Sequence, residues 1–411
     1  MSKIIIKKNG PIDDDDNFHE YEFENINYSF MNALRRTILS DIPVYTFNGF
    51  PNLLRKKNMK EQKDIVENIV IEKNTTRLNN EIIKQRLTCI PIHLPVSKDY
   101  KNLVFKLDTT NLEFEEDIIP TVKYITTEHF RIFKVDDDDT QKEIKVNEDT
   151  FNPLKPFVTK DGNKHYILII RLNPEISKQI PREELILTCK LSIHTSKENG
   201  SFNAVSCCSY SYYPDKVKQE TEWLKFKRIE ERKFSSIKLN DDDKKNWYNL
   251  NGKRHYISDK FKFIIESLGI YSCDELIKKA LTIIITKLEN FKTGVANPTN
   301  ITNVKYKFIC DKALINIPYA YDITLTGEDY TIGKPLEYIL HNNMDKYNLV
   351  YVGFIKKHPH DTDSIIRVIL DDKVLAKQEK NGIKDQKNKI KNIFIEAYKE
   401  CIETFKQCYF K

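Results

Sequence analysis

Glycine is scarce in this chain, at 11 of 411 residues, and none of these glycines builds a loop of the Walker type, which leaves no phosphate cradle of that kind. No stretch approaches the roughly 18 consecutive apolar residues that span a bilayer. The opening MSKIIIKKNG holds only three consecutive apolar residues, short of a signal-peptide core. The expectation is therefore a protein that neither crosses a membrane nor is secreted. No C-x-x-C pair occurs among the eight cysteines (Cys89, Cys189, Cys207, Cys208, Cys273, Cys310, Cys401, Cys408), and no histidine stands at zinc-finger spacing. Buried free thiols in a reducing compartment are expected in place of a zinc site. Strong charge of one sign is also missing: 66 basic and 60 acidic residues give +6, too small a surplus to argue for nucleic acid.

Hydrophobic residues at 40% and charged residues at 31% describe a folding chain with a sizeable core, long enough for two or three domains. Few glycines beside many Lys, Asn and Ile residues suggest an AT-rich genome. Three acidic runs, Asp13 to Asp16, Asp136 to Asp139 and Asp241 to Asp243, raise the question of magnesium. Contiguous aspartates point in different directions on any regular backbone, so solvated loop tips are the reading for all three.

Strand patterns appear in NLVFKLDTT (102–110), HYILIIRLNP (165–174) and ELILTCKLSIH (184–194). The last alternates Leu185, Leu187, Cys189, Leu191 and Ile193 on one face, with the other face toward water. NAVSCCSYSYY (203–213) follows as a hairpin or meander partner, with at least one thiol of Cys207 and Cys208 toward a core. From Cys273 to Phe291 the period becomes helical, with Ile277, Leu281, Ile284, Leu288 and Phe291 on one stripe. KTGVANPTNITN (292–303) reads as a linker. A final helix carries Ile390, Ile393, Ala397, Cys401 and Phe405 at helical spacing.

A repeat lies concealed in this pattern. YSFMNALRRTIL (28–39) overlies YTIGKPLEYILH (330–341) without a gap, at a constant offset of 302. Phe30, Met31, Leu34 and Ile38 form the stripe of the first copy; Ile332, Leu336, Ile339 and Leu340 form that of the second. Ser29 and Thr331 are hydroxyl residues suited to capping. Two related α+β units could pack these helices as a pseudo-twofold dimer within one chain, each unit ending in a long amphipathic helix. Arg35 sits at the edge of the first stripe and Arg36 nearly opposite, beside Asn32, which would offer guanidinium groups outward to solvent or to a second protein.

NALRRTILSDIP (32–43) resembles the helix signature of the alpha-type assembly subunits of multisubunit RNA polymerases, as carried by the archaeal D subunit and the third-largest subunit of eukaryotic RNA polymerase II. NTTRLNNEIIKQRLTCIPI (74–92) and KENGSFNAV (197–205) are similar to two further segments of that family, although Asn199 and Asn203 depart from its usual His and Ser-Pro context. GEDYTIGKPLEYIL (327–340) with VGFIKKHPHDTDSIIRV (352–368) resembles the archaeal L subunit and the eukaryotic eleventh subunit, with Lys334 and Pro335 replacing the usual Asn-Leu. The motifs occur in family order, and 93–165 and 206–260 match least. Both partners on one polypeptide resemble the fused subunit of large nucleocytoplasmic DNA viruses.

The resemblance implies an α+β fold: two alpha-type dimerisation units, each an antiparallel sheet with helices, forming an intramolecular pseudo-dimer, the first unit interrupted by an inserted, mainly β domain. It implies a first unit of 1–45 and 170–291, an insert of 46–169, a linker of 292–303 and a second unit of 304–411. The role implied is a non-catalytic assembly platform that docks the second-largest and largest polymerase subunits beside a small zinc-containing one, with DNA met only through the complex and no membrane. Arg35, Arg36, Asn32, Arg86 and Lys197 would face a large subunit. Phe30, Met31, Leu34, Ile38, Ile332, Leu336, Ile339, Leu340, Ile277, Leu281, Ile284, Leu288, Ile393 and Ala397 would pair the halves. No metal or cofactor is expected in this chain; zinc and magnesium belong to other subunits, and the site of action is intracellular, in viral factories and the virion if the source is a virus. His358-Pro359-His360-Asp361 lacks a third ligand for zinc and reads as a strand connection. An enzyme in its own right would need a convergent nucleophile and base or spaced carboxylates, and none is found. A free-standing nucleic-acid module would need a basic patch interleaved with aromatics; WLKFKRIEERKF (223–234) has both, but Glu230 and Glu231 interrupt it, which favours an amphipathic surface helix.

Overall fold

The two overlaid segments fold into helices of identical length and phase, Tyr28–Ser40 and Tyr330–Asn342, each 13 residues. The computed structural model describes residues 3–12, 15–50, 68–100, 102–112, 122–135, 141–145, 151–159, 161–233, 239–296, 306–371 and 383–409. They form two units: one comprises 1–39, 207–266 and 273–411, the other 40–206 with 267–272.

In the first unit, two four-stranded sheets share one topology. The strands Ile5–Ile12, Asp15–Glu24, Val205–Pro214 and Tyr256–Ser267 lie in the order first, second, fourth, third. The strands Ile309–Lys312, Ala320–Leu325, Leu349–Ile355 and Ser364–Leu370 lie in the same order. In both, a short helix follows the second strand and a long one, Cys273–Ala296 or Ile383–Gln407, follows the fourth. Alternation explains the buried faces. Tyr21 and Phe23 pair across the ladder with Phe263 and Phe261, all at most 0% exposed. On the opposite face Glu22 and Glu24 meet Lys260 at 2.8 and 2.6 Å. In the second sheet Ile323 pairs with Ile366 in the core, and Arg367 grips Asp322 through two hydrogen bonds of 2.6 and 2.8 Å.

The long helices pack together, with Phe291 and Tyr398 stacked at 6.2 Å between ring centres. Helical spacing persists to Ala296, so 292–296 of the expected linker continue the helix, and 297–303 lie outside the described residues.

The second unit is built on a five-stranded sheet in the order Ile69–Asn74, Leu185–Lys190, Leu103–Asp108, Arg131–Val135, Gln141–Ile144. Phe47, Phe105 and Phe130 pack with Leu107, Leu187 and Cys189 in its core. The helix Asn80–Thr88 buries Ile83 and Leu87, and the Asn79 side chain accepts from the Ile82 N–H at its start. Leu185–Lys190 lies between Ile69–Asn74 and Leu103–Asp108 in this sheet, so the compact unit takes in 40–206 with 267–272, where the resemblance implies an insert of 46–169.

Two strand readings change, and so do two of the acidic runs. The alternating run 184–194 breaks after Lys190; Ser192–Thr195 pairs instead with Pro43–Thr46, leaving Ile193 46% exposed. Val205–Pro214 forms no hairpin with it and joins the first four-stranded sheet. Asp241, Asp242 and Asp243 form the first turn of the helix Asp241–Asn249, where carboxylates suit the positive helix end and the Asn240 side chain accepts from the N–H groups of Asp242 and Asp243. Asp15 and Asp16 begin a strand, while Asp13, Asp14 and Asp136 to Asp139 lie outside the described residues. The run 223–233 does lie on a surface helix, Lys216–Lys233, with Trp223 buried against Trp247.

Candidate functional site

The paired short helices are the candidate site, and their equivalence extends to single atoms. The first helix buries Ser29, Phe30, Met31, Ala33, Leu34, Thr37 and Ile38; the second buries Thr331, Ile332, Gly333, Pro335, Leu336, Ile339 and Leu340, the same seven positions at an offset of 302. Capping repeats too, but through residues two positions ahead of the expected hydroxyls. The Ser29 N–H donates to Asn27 Oδ1 at 2.9 Å, and the Thr331 N–H to Asp329 Oδ1 at 2.9 Å. An Asx side chain at this spacing satisfies an orphan donor of the first turn.

Every residue expected to pair the halves is buried, from Met31, Leu336, Ile339, Leu340, Ile277, Leu281, Ile284, Leu288 and Ala397 at 0% to Phe30, Ile38 and Ile332 at 1%, Leu34 at 2% and Ile393 at 7%. Phe30 carries the contact across the repeat. Its ring meets Tyr338 edge-on at 6.0 Å and Phe405 of the last helix at 5.0 Å.

The arginines behave differently from the outward pair expected. Arg36 turns to the other half of the chain, where its Nη2 donates to Asp329 Oδ2 at 2.5 Å and its Nε to Thr331 Oγ1 at 3.0 Å. Helical geometry placed it off the stripe correctly, but the start of a second helix occupies that space. Arg35 bends back on its own helix, donating twice to Asn32 Oδ1 at 3.1 and 2.9 Å. Beside it, burial pushes the Cys208 thiol pKa up, and the Arg35 charge pulls it partly back. The loop that carries Asp329 also holds Glu328, 2% exposed, with Lys287 of the first long helix at 3.7 Å. Sequence reading missed Asp329, Glu328, Lys287 and Tyr338; the constant offset, which equates Asp329 with Asn27, was the signal for the first.

The other two interface candidates lie in the second unit. Arg86 Nη1 donates to the carbonyl of buried Ile169 at 2.6 Å. Lys197 is exposed, and its backbone N–H donates to the Ser40 carbonyl at 2.9 Å, which anchors the 197–205 segment. Within that segment's surroundings, His194 joins Glu198 at 2.7 Å and Asn48 at 3.1 Å and stacks on Phe202. His358 and His360 sit in the connection between Leu349–Ile355 and Ser364–Leu370, where the His360 N–H donates to His358 Nδ1. Among the described residues no helix is long and apolar enough to cross a membrane.

Residues 20–288 match the family described as the RNA polymerase Rpb3/Rpb11 dimerisation domain. The chain belongs to this family, and its own fold is mixed helix and antiparallel sheet. It is similar to the DNA-directed RNA polymerase subunit Rpo3 of Pyrococcus horikoshii, 20% identical over 287 residues, 65% of this chain and 90% of that protein. It is equally similar to Rpo3 of Pyrococcus furiosus, 20% identical over 288 residues, 66% of this chain and 90% of that protein. The helix Tyr330–Asn342 and the last helix lie beyond the residues matched.

Proposed function

We propose that this chain is an assembly subunit of a DNA-directed RNA polymerase in which both members of an alpha-type pair are carried on one polypeptide. The observation that carries the reading is the repeated half: one sheet order, one helix order and the same seven buried positions recur in a unit of which only the first half matches the dimerisation family. Relatives that are polymerase subunits support the complex. A tether supplying millimolar effective concentration, against partners at roughly micromolar levels, favours pairing by about 4 kcal/mol and fixes equal stoichiometry.

On this reading the paired halves form the platform on which the second-largest and largest subunits gather, beside a small zinc-containing one. The exposed surface of Lys197 and the half-buried Arg35 and Asn32 are its contact points, whereas Arg36 serves the pairing itself. The chain supplies architecture, and catalysis with its magnesium resides in the large subunits. The fused arrangement suits a virus that transcribes in the host cytoplasm and packages its polymerase in the virion. A tagged chain purified from its native source, followed by mass spectrometry and an RNA-synthesis assay, tests the proposal. Two very large subunits and templated RNA synthesis should accompany it; a chain that comes down alone would return a free-standing scaffold or nucleic-acid module to the front.

A further inference from the structure

The contacts between the two short helices are reciprocal in place and unequal in charge. Arg36 reaches the start of the second helix; its counterpart at the 302 offset, Tyr338, reaches the start of the first, lying edge-on to Phe30 and lining a cleft of about 410 Å³ with Ile26 and Asn27. At one corner Arg36 meets Asp329, and Lys287 stands by the buried Glu328. At the other, the positions equivalent to Glu328 and Asp329 are Ile26 and Asn27, which carry no charge.

We propose that this one-sided pairing makes Arg36 and Asp329, with Lys287 and Glu328, the determinants of which half pairs with which. Two first halves brought together in the same geometry would set each Arg36 against a neutral Asn27. Two second halves would set Asp329 against Tyr338 and separate the buried Glu328 from Lys287. Glu328 is buried, so separating it from Lys287 costs far more than the intact pair contributes, and discrimination there comes mainly from the mismatched states, while the half-buried Arg36–Asp329 pair adds a smaller preference. A fused chain needs this device because identical folds on one tether would otherwise permit like-with-like pairing between copies. The inference rests on the pairing within the chain and stands apart from polymerase membership.

The full-length purified protein tests it, without any polymerase subunit present. Arg36→Asp and Asp329→Arg should each lower the urea midpoint, and the double reversal should recover at least about half of the combined loss; the helix cap lost with Asp329 cancels in the cycle. Should Asp329→Arg fail to fold, Asp329→Asn keeps a capping oxygen and, combined with Arg36→Gln, should lose no more than either single change. Differently tagged Arg36→Asp and Asp329→Arg chains, co-expressed, should capture one another in a mixed dimer in which each altered side chain meets the oppositely altered one. Additive losses in the double variants, or singly altered chains that capture themselves as readily as each other, would overturn the proposal.

Discussion

Gly333 lies flat against Phe354: a Cβ on this glycine would stand 2.0 Å from Phe354 Cε2 and 2.3 Å from Cδ2. The equivalent position in the first helix is Met31, fully buried, so one half fills with a side chain the space that the other fills with a ring from its sheet. Gly333→Ala should therefore destabilise the protein. Helix propensity would gain about 1 kcal/mol, but overpacking of this kind typically costs about 1 to 3 kcal/mol, and a rigid ring also held by Tyr330 at 5.1 Å has little room to yield. A lower urea midpoint checks this; a higher one would mean that the ring moves freely.

Leu34 and Leu336 occupy equivalent positions at 2% and 0% exposure. Leu34→Ala and Leu336→Ala should each cost about 2 to 5 kcal/mol through lost burial and a cavity. Urea unfolding would compare them. Loss at one position only would show that the two stripes are not equally packed.

Acid should weaken the first sheet through Glu22. The hydrogen bond from Lys260 holds its carboxyl down at about 2, from an ordinary 4.5, against the opposing effect of burial. Since the folded value is depressed, the stabilisation is fully present above about 4.5 and disappears as pH falls through about 2. Glu22→Gln should lower the urea midpoint at pH 6 and converge with wild type toward pH 2. A constant difference across that range would assign the effect to packing.

Cys89 is exposed at the end of its helix, whereas Cys189, Cys208, Cys401 and Cys408 are buried and have thiols pushed up by that burial. A thiol reagent at pH 8 should modify Cys89 first in the folded protein, and Cys89→Ser should remove that fast phase. Fast labelling that survives the substitution would show that a core thiol is open.

Arg86 ties its helix to the carbonyl of Ile169, so Arg86→Ala should cost the second unit about 1 to 2 kcal/mol and speed amide exchange along Leu168–Leu172. Unchanged exchange there would free Arg86 for a purely surface role.

The short helices were legible in the sequence because periodicity and offset are local properties; both start where the overlay starts and run one residue past its end. The caps were misread by two positions, since Ser29 and Thr331 are plausible caps and only the backbone path selects Asn27 and Asp329. Arg36 could be placed on its helix but not given its partner, which lies 293 residues away. The sheet membership of Leu185–Lys190 was not legible for a similar reason: its ladder with Leu103–Asp108 and Ile69–Asn74 is long-range, and alternation alone does not say which sheet a strand joins.

If one chain supplies both halves of the assembly pair, native mass spectrometry of the complex purified through it should show a particle with two very large subunits, one copy of this chain and no second protein of the Rpb3/Rpb11 dimerisation type. Two copies of the chain, or a separate small partner seated on it, would mean that the pair is completed from outside the chain.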